Sequence, residues 1–436
     1  MNTSQLRMEI IKSAKKSQWA EIVKRPKIDV DNLNATVAAI LNDVKKNGDE
    51  AVIKYCEKFD RARLQSLAVT SKEMAEAESA VSDDLKQAML LAHANIGKFH
   101  LEQKFSPRKV ETSRGVMCWQ KSVPIQNVGL YIPGGTAPLF STVLMLATPA
   151  RIAGCEEIVL CTPPDSDGRV HPAILVAARI SGVTQIFKAG GVQAIGAMAY
   201  GTETIPKVSK IFGPGNSYVM AAKQQVSLHD VAIDMPAGPS EVCVIADESA
   251  TPGFVAADLL SQAEHGPDSQ VLLITTSERI LVEVQAEINK QLAALPRRTI
   301  AEKALESSKL VLVANSDEAM ELSNMYSPEH LIIQTSDSES LAEKVINAGS
   351  VFIGNYACES AGDYASGTNH TLPTHGYAKA YSGVNLDSFC RKITFQHITE
   401  EGIRNIGPAV ELMAGAESLF AHKKAMSMRL DSLNGK

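Results

Sequence analysis

The 436-residue sequence has no run approaching the roughly 20 apolar residues that a bilayer-spanning helix needs, and its first twenty residues, polar and lysine-bearing, have no apolar segment of the kind a signal peptide requires. It has no excess of positive charge: 43 Lys and Arg stand against 49 Asp and Glu, for a net charge of −6. That balance gives no general attraction to nucleic acid or anionic lipid, so small molecules are the expected partners. No CxxC pair occurs. The seven cysteines (Cys56, Cys118, Cys155, Cys161, Cys243, Cys358 and Cys390) are odd in number and scattered, which suits a reducing cytoplasm rather than a disulfide framework. Also missing is a GxGxxG followed about twenty residues later by an acidic residue, the usual dinucleotide fingerprint. A soluble cytoplasmic protein without membrane or nucleic-acid partners is the expectation.

What is present is an alternation of strand, glycine turn and helix. At about 150 residues per domain, the length allows two or three domains. An N-terminal arm, 1–27, ends at Lys24-Arg25-Pro26-Lys27, where proline discourages a continuing helix. Helical spacing follows from Asp31 to Phe59, interrupted at Asn47-Gly48, and again after Thr70 and Glu73, which form a capping box. A further helix covers 81–103. From Val128 to Ile132 a short apolar strand runs into Pro133-Gly-Gly-Thr-Ala-Pro138 and a helix from about Ser141; the rhythm repeats at Ile158–Cys161, Gln185–Phe187 and Lys210–Phe212. A second series has strands at Val242–Ala246, Val271–Ile274, Leu310–Val313, Leu331–Ile333 and Val351–Ile353. The pattern predicts two doubly wound, parallel α/β domains in tandem. Beyond Gly354 regular pattern is lost for some thirty residues, and from Ile398 a helical tail too short for its own core closes the chain.

Chemistry-bearing residues cluster within this frame. In Ser261-Gln-Ala-Glu-His-Gly-Pro-Asp268, Gln262 and His265 lie one turn apart at a helix end. Residues at i and i+3 share a face, so an amide oxygen and an imidazole can converge on a metal ion, although a capped helix whose histidine meets a carbonyl has the same pattern. Glu329 and His330 precede a buried strand and offer an acid and a base to one site. Asp363 and His370 fall in the glycine-bent segment Ser360–His370, and Glu417 and His422 in the tail lie five apart, about 140° around a continuous helix. Gln262, His265, Asp363 and His422 together make a mixed nitrogen and oxygen ligand set suited to Zn²⁺ or Mn²⁺ rather than to a calcium cage.

The segments Ile211–Asn216, Asp234–Glu241, Leu260–Asp268, Pro328–Leu331, Glu359–His370 and Ala416–His422, in that order and spread over nearly the whole chain, closely resemble the histidinol dehydrogenase family. The resemblance implies a zinc-containing, NAD-dependent homodimer that oxidises L-histidinol to L-histidine through the aldehyde, using two NAD⁺. By position, Gln262, His265, Asp363 and His422 match the zinc ligands, Glu329 and His330 the acid and base pair, and Ser240 and Glu417 substrate contacts. The substrate-binding set comprises Ser240, Gln262, His265, His330, Asp363, Glu417 and His422, while Tyr131, Gln193 and Asn216 match NAD contacts. The tail is expected to cross to the partner subunit, swapping His422 and Glu417 into its site. The implied partition is the arm 1–27, a substrate and zinc domain formed by 28–130 and 241–384, a Rossmann-like nucleotide-binding domain 131–240, and a tail 385–436.

A cysteine thiohemiacetal for the second oxidation would use Cys118 or Cys155, neither with basic partners nearby in sequence. A non-catalytic zinc or nucleotide binder and a metal-dependent hydrolase share parts of the pattern. Lys379 stands where arginine is more usual in the family, and His370 and His375 have no assigned role.

Overall fold

The computed structural model describes residues 8–13, 15–26, 30–134, 138–236 and 238–435. Gly135, Thr136 and Ala137 of the first glycine turn, Ala237, and Met1–Arg7 and Lys27 of the arm lie outside the described residues.

Two parallel sheets organise the chain. In the first, strands run in the spatial order Gln185–Lys188, Glu157–Thr162, Asn127–Tyr131, Lys210–Phe212 and Ala232–Ile233. In the second, the order is Glu9–Lys12, Lys309–Leu312, Gln270–Thr275, Glu241–Ala246, His330–Gln334 and Ser350–Ile353. The central strands of the second sheet are buried along their whole length, as expected for apolar runs covered on both faces by helices. Every strand read from the sequence falls on one of these, within a residue or two at each end. The Thr70 and Glu73 capping box is present, with Glu73 N–H donating to Thr70 Oγ1 at 3.2 Å. The helix Val30–Tyr55 kinks at Gly48, whose φ of 51° is open to glycine at little cost.

Three features differ from the sequence reading. The N-terminal arm supplies an edge strand, Glu9–Lys12, paired with Lys309–Leu312, and buries Trp19 and Ile22 in the core under the six-stranded sheet. A three-stranded antiparallel sheet, Lys109–Ser113, Val116–Pro124 and Cys390–Ile398, was not anticipated. Its last strand is largely exposed, and the only apolar alternation in it is the short Ile393-Thr-Phe395-Gln stretch. Finally, the helices between residues 30 and 101 bury their apolar faces on the five-stranded sheet and its helices: Val37, Leu41, Val44 and Val52 pack with Ile195 and Met198, and Met89 and Ile96 with Leu144 and Leu175. Residues 30–101 thus pack with the five-stranded sheet, and position 130/131 falls within the strand Asn127–Tyr131. Helices at 30–101 lie between the edge strand Glu9–Lys12 and all the other strands of both parallel sheets, and helical periodicity shows which face is apolar without showing which sheet it covers.

Candidate active site

The amino ends of the central strands of the six-stranded sheet carry one group of polar side chains. Glu241 and His330 are the first residues of adjacent strands, with His330 in register with Val242 and Ser350. Gly349 lets the neighbouring strand come this close, because a Cβ there would lie 2.5 Å from the Glu329 carbonyl oxygen. The Glu241 N–H donates to Glu329 Oε2 at 2.9 Å, and the Glu241 carbonyl oxygen lies 3.2 Å from His330 Nδ1. A carbonyl only accepts, so Nδ1 carries a proton and the neutral ring presents Nε2 as a base. That Nε2 is buried without a hydrogen-bond partner, 3.7 Å from Asp363 Oδ1.

Asp363 sits on a short helix, Glu359–Tyr364, within the segment read as patternless. Glu359 and Asp363 are i and i+4, hence on one face. Together with His265 they form a cluster whose candidate ligand atoms all lie within 4.8 Å of one another. Gln262 completes the group from the last turn of helix Pro252–Ala263: with its amide oriented to satisfy both ends, Nε2 donates to Glu359 Oε2 at 3.0 Å. His265 follows in the turn beyond that helix, its N–H donating to the Gln262 carbonyl at 3.2 Å. The helix end thus brings Gln262 and His265 together as their spacing implied.

Electrostatics follow from burial. Desolvation pushes the Glu329 carboxyl up to about 7. Glu359, almost fully buried, is raised well above the ordinary carboxylate range for the same reason. Burial opposes protonation of His330, but the surrounding Glu359, Glu329 and Asp363 carboxylates outweigh it and lift its pKa to about 10. Asp363 stays below its ordinary value despite burial because His330, His370 and His265 surround it. The carboxylates of Glu329, Glu359 and Asp363 and the imidazoles of His330 and His265, running from the buried strand ends to the exposed His265, form a donor set that fits a divalent cation, whose charge would offset the field that holds the His330 proton.

His370 belongs to the periphery of this group. Its Nδ1 is 2.9 Å from the Asp363 carbonyl and its Nε2 3.2 Å from Thr142 Oγ1, on the helix Phe140–Ala153 of the five-stranded sheet. It holds Asp363 against the other half of the chain. His375 lies at the opposite end of Glu241, with its N–H donating to Glu241 Oε1 at 3.0 Å. Ser240 immediately precedes Glu241, and its carbonyl accepts from Gln270 N–H at 3.1 Å.

Tyr131, Gln193 and Asn216 line a separate cavity of about 1010 Å³ at the carboxyl ends of the five-stranded sheet, the place where open parallel sheets hold ligands. The Tyr131 hydroxyl accepts from Gly191 N–H at 3.1 Å, and buried Gln193 Oε1 has no partner. Asn216 caps the helix Ser217–Ser227, accepting from Tyr218 and Val219 N–H groups at 3.1 Å each. The turn before it depends on glycine: at Gly213, φ is 129° and a Cβ would lie 2.1 Å from the Tyr131 carbonyl oxygen. A buried ion pair, Lys223 to Asp234 at 2.5 Å, fixes this turn, because Asp234 also accepts from Gly213 N–H and Lys223 donates to the Gly213 carbonyl.

Glu417 and His422 are exposed and do not share a helix: Glu417 ends Glu400–Ala416, Ser418 adopts φ 59°, and His422 lies in Phe420–Leu433. Among the described residues the metal-competent cluster of this chain joins Glu359 to His265 and Asp363. Glu359 was the functional candidate missed in the sequence; its i, i+4 relation to Asp363 becomes a signal only once the segment is known to be helical. Cys155 is buried with its thiol pushed up to about 12 by desolvation, which leaves no thiolate, and Cys118 lies in the antiparallel sheet opposite Gln396.

Residues 23–430 match the family model described as histidinol dehydrogenase. The chain is similar to histidinol dehydrogenase of Bacteroides thetaiotaomicron (65% identity, covering 98% of this chain and all of that one) and of Vibrio parahaemolyticus (50% identity, 98% and 99%). A crystal structure of histidinol dehydrogenase from Elizabethkingia anophelis superposes with a TM-score of 0.96 at 55% identity, covering 98% of this chain and 99% of that one. On fold and sequence together, the chain belongs to the histidinol dehydrogenase family.

Proposed function

We propose that this oxidoreductase carries out the zinc-containing, NAD-dependent, four-electron oxidation of L-histidinol to L-histidine through L-histidinaldehyde, the last steps of histidine biosynthesis, in the cytoplasm. The observation that carries the reading is the joining of a buried carboxylate and imidazole, Glu329 and His330, to a cation-suited cluster of Gln262, His265, Glu359 and Asp363. The two sheets are read as tandem Rossmann-like units. The five-stranded one, with the helices of 30–101 packed on it, holds the dinucleotide at Tyr131, Gln193 and Asn216; the six-stranded one holds substrate and zinc.

Zinc supplies a Lewis-acidic anchor held by Gln262, His265 and Asp363, and the dinucleotide supplies the hydride acceptor for both oxidations. His330 Nε2, oriented by the Glu241 carbonyl, accepts the proton of the substrate hydroxyl as the carbinol carbon gives up hydride. Glu329 takes a proton from the water that adds to the aldehyde carbon, and the protonated His330 returns its proton to the former carbonyl oxygen, which gives the gem-diol and leaves His330 neutral again. His330 then accepts a hydroxyl proton from the diol as the second hydride leaves, and the carboxylate product results. The aldehyde stays enclosed between the steps, which protects a group that is reactive in water.

His422 and Glu417 are proposed to complete the site of a partner subunit in a homodimer, with the tail 385–436 crossing over. In support, both are exposed here on a helical hairpin that also leaves Leu412, Met413, Leu419 and Phe420 open to solvent. Mixing Gln262→Ala and His422→Ala proteins tests this: shared sites predict heterodimers that regain activity, and two inactive parents that stay inactive on mixing would refute it. Following NADH absorbance with L-histidinol, with and without a chelator, tests the reaction itself, and separates it from a hydrolase or a binding protein, which give no NADH.

A further inference from the structure

We propose that Arg25, at the end of the N-terminal arm, is a positioning residue for the acid and base pair, acting through Glu241. The proposal rests on the reading of Glu329 and His330 as the proton-transfer pair. Glu241 grips both through its main chain, N–H to Glu329 Oε2 and carbonyl to His330 Nδ1. Its side chain, 3% exposed, is held in turn by the arm: Arg25 Nε lies 2.5 Å from Oε1 and Arg25 Nη2 2.8 Å from Oε2. This is a two-pronged contact that a planar guanidinium makes and a lysine ammonium does not.

The same guanidinium holds the other approach to the pair. Arg25 Nη2 donates to the Tyr326 carbonyl at 2.7 Å, and the guanidinium carbon lies 4.2 Å from the Tyr326 ring centroid. Tyr326 ends the helix from which Ser327-Pro328 lead directly into Glu329 and His330. Its hydroxyl donates to Gln270 Oε1 at 3.0 Å, and Gln270 Nε2 donates back to the Lys24 carbonyl of the arm at 3.2 Å. Arg25 therefore ties together the strand start that orients the pair and the loop that delivers it, while touching neither Glu329 nor His330. A loss of this tie displaces both groups by small distances, and misplacement of about 1 Å costs up to about 100-fold in rate.

The test compares Arg25→Lys, Arg25→Met, Glu241→Gln and the double variant Arg25→Met/Glu241→Gln in the zinc-loaded enzyme. The expected result is a fall in kcat of roughly ten- to hundredfold for Arg25→Met, with KM for histidinol and zinc content unchanged. Arg25→Lys is expected to restore part of kcat, and the double variant to be no slower than Arg25→Met. A kcat per folded molecule equal to the parent in both Arg25 variants overturns the proposal, as does a double variant whose losses simply add. Should Arg25→Met fail to fold, Arg25→Lys alone decides by the same kcat and KM split. Glu329→Gln and His330→Gln, run alongside, separate the two claims: parental kcat in both overturns the underlying assignment of the pair, whereas loss there with parental Arg25 variants overturns only the role of the arm.

Discussion

Glu359→Gln removes one negative charge from the cluster while keeping its shape, because glutamine still offers Oε1 to the Gln262 amide. The parent residue is 1% exposed, and its carboxyl is pushed well above the usual range by burial. Glu359 therefore binds a proton more readily than an exposed carboxyl does, whereas a bound dication favours the carboxylate. Two consequences follow. Losing a charged group beside the ligands should weaken zinc binding by about 10- to 100-fold, or about 1.4–2.8 kcal/mol. The metal-free protein should meanwhile become more stable at neutral pH, since the raised acid binds its proton more tightly folded than unfolded, and that stability is lost as pH rises past its unfolded value of 4.5. Competition with a chromogenic chelator measures the affinity, and proton release on zinc addition, read in weakly buffered solution, should fall in the variant. Zinc affinity within twofold of the parent, with unchanged proton release, would refute the reasoning and remove Glu359 from the metal's surroundings.

Glu329→Gln should lower turnover by roughly 10²- to 10⁴-fold, with oxidation of supplied histidinaldehyde affected at least as strongly as that of the alcohol; parental aldehyde oxidation would exclude the water-activating role. Because burial sets the Glu329 carboxyl at about 7, aldehyde oxidation that needs its carboxylate should rise with pH through about 7 and then level, as read from initial rates of NADH formation. Asp258 is buried one turn before Gln262 in the helix Pro252–Ala263, its carboxyl raised from 3.8 to about 7 by desolvation and bonded by Gln334 Nε2 at 2.8 Å. The folded state binds this proton more tightly, so stability present below about pH 4 is lost as pH rises to about 7. Asp258→Asn, which keeps the bond to Gln334, should stabilise the protein at pH 8 by roughly 1–3 kcal/mol and at pH 4 hardly at all; equal thermal midpoint shifts at both pH values would contradict this.

The alternating strands were legible because parallel strands covered on both faces are short apolar runs bounded by glycine turns, and Val242–Ala246 and Leu331–Ile333 are such runs. The antiparallel sheet was not, since Cys390–Ile398 is exposed over most of its length and falls in the stretch 385–436 read as a helical tail. Gln262 and His265 could be paired from spacing alone, as could Glu329 and His330 from adjacency. Glu359 could not: its partner Gln262 is 97 positions away, and its helical relation to Asp363 hides in a segment rich in glycine and serine. Nor does the sequence announce that Arg25 reaches Glu241 across 216 positions, because such pairs are set by the packing of the arm on the second sheet.

The central claim is that one site performs both oxidations without releasing the aldehyde. It is tested most directly by counting NADH formed per L-histidinol when the alcohol is limiting and NAD⁺ is in excess. Two NADH per histidinol, abolished by a chelator and restored by zinc, is the predicted result. One NADH with free aldehyde in solution, or an unchanged yield in the chelator-stripped protein, would contradict it.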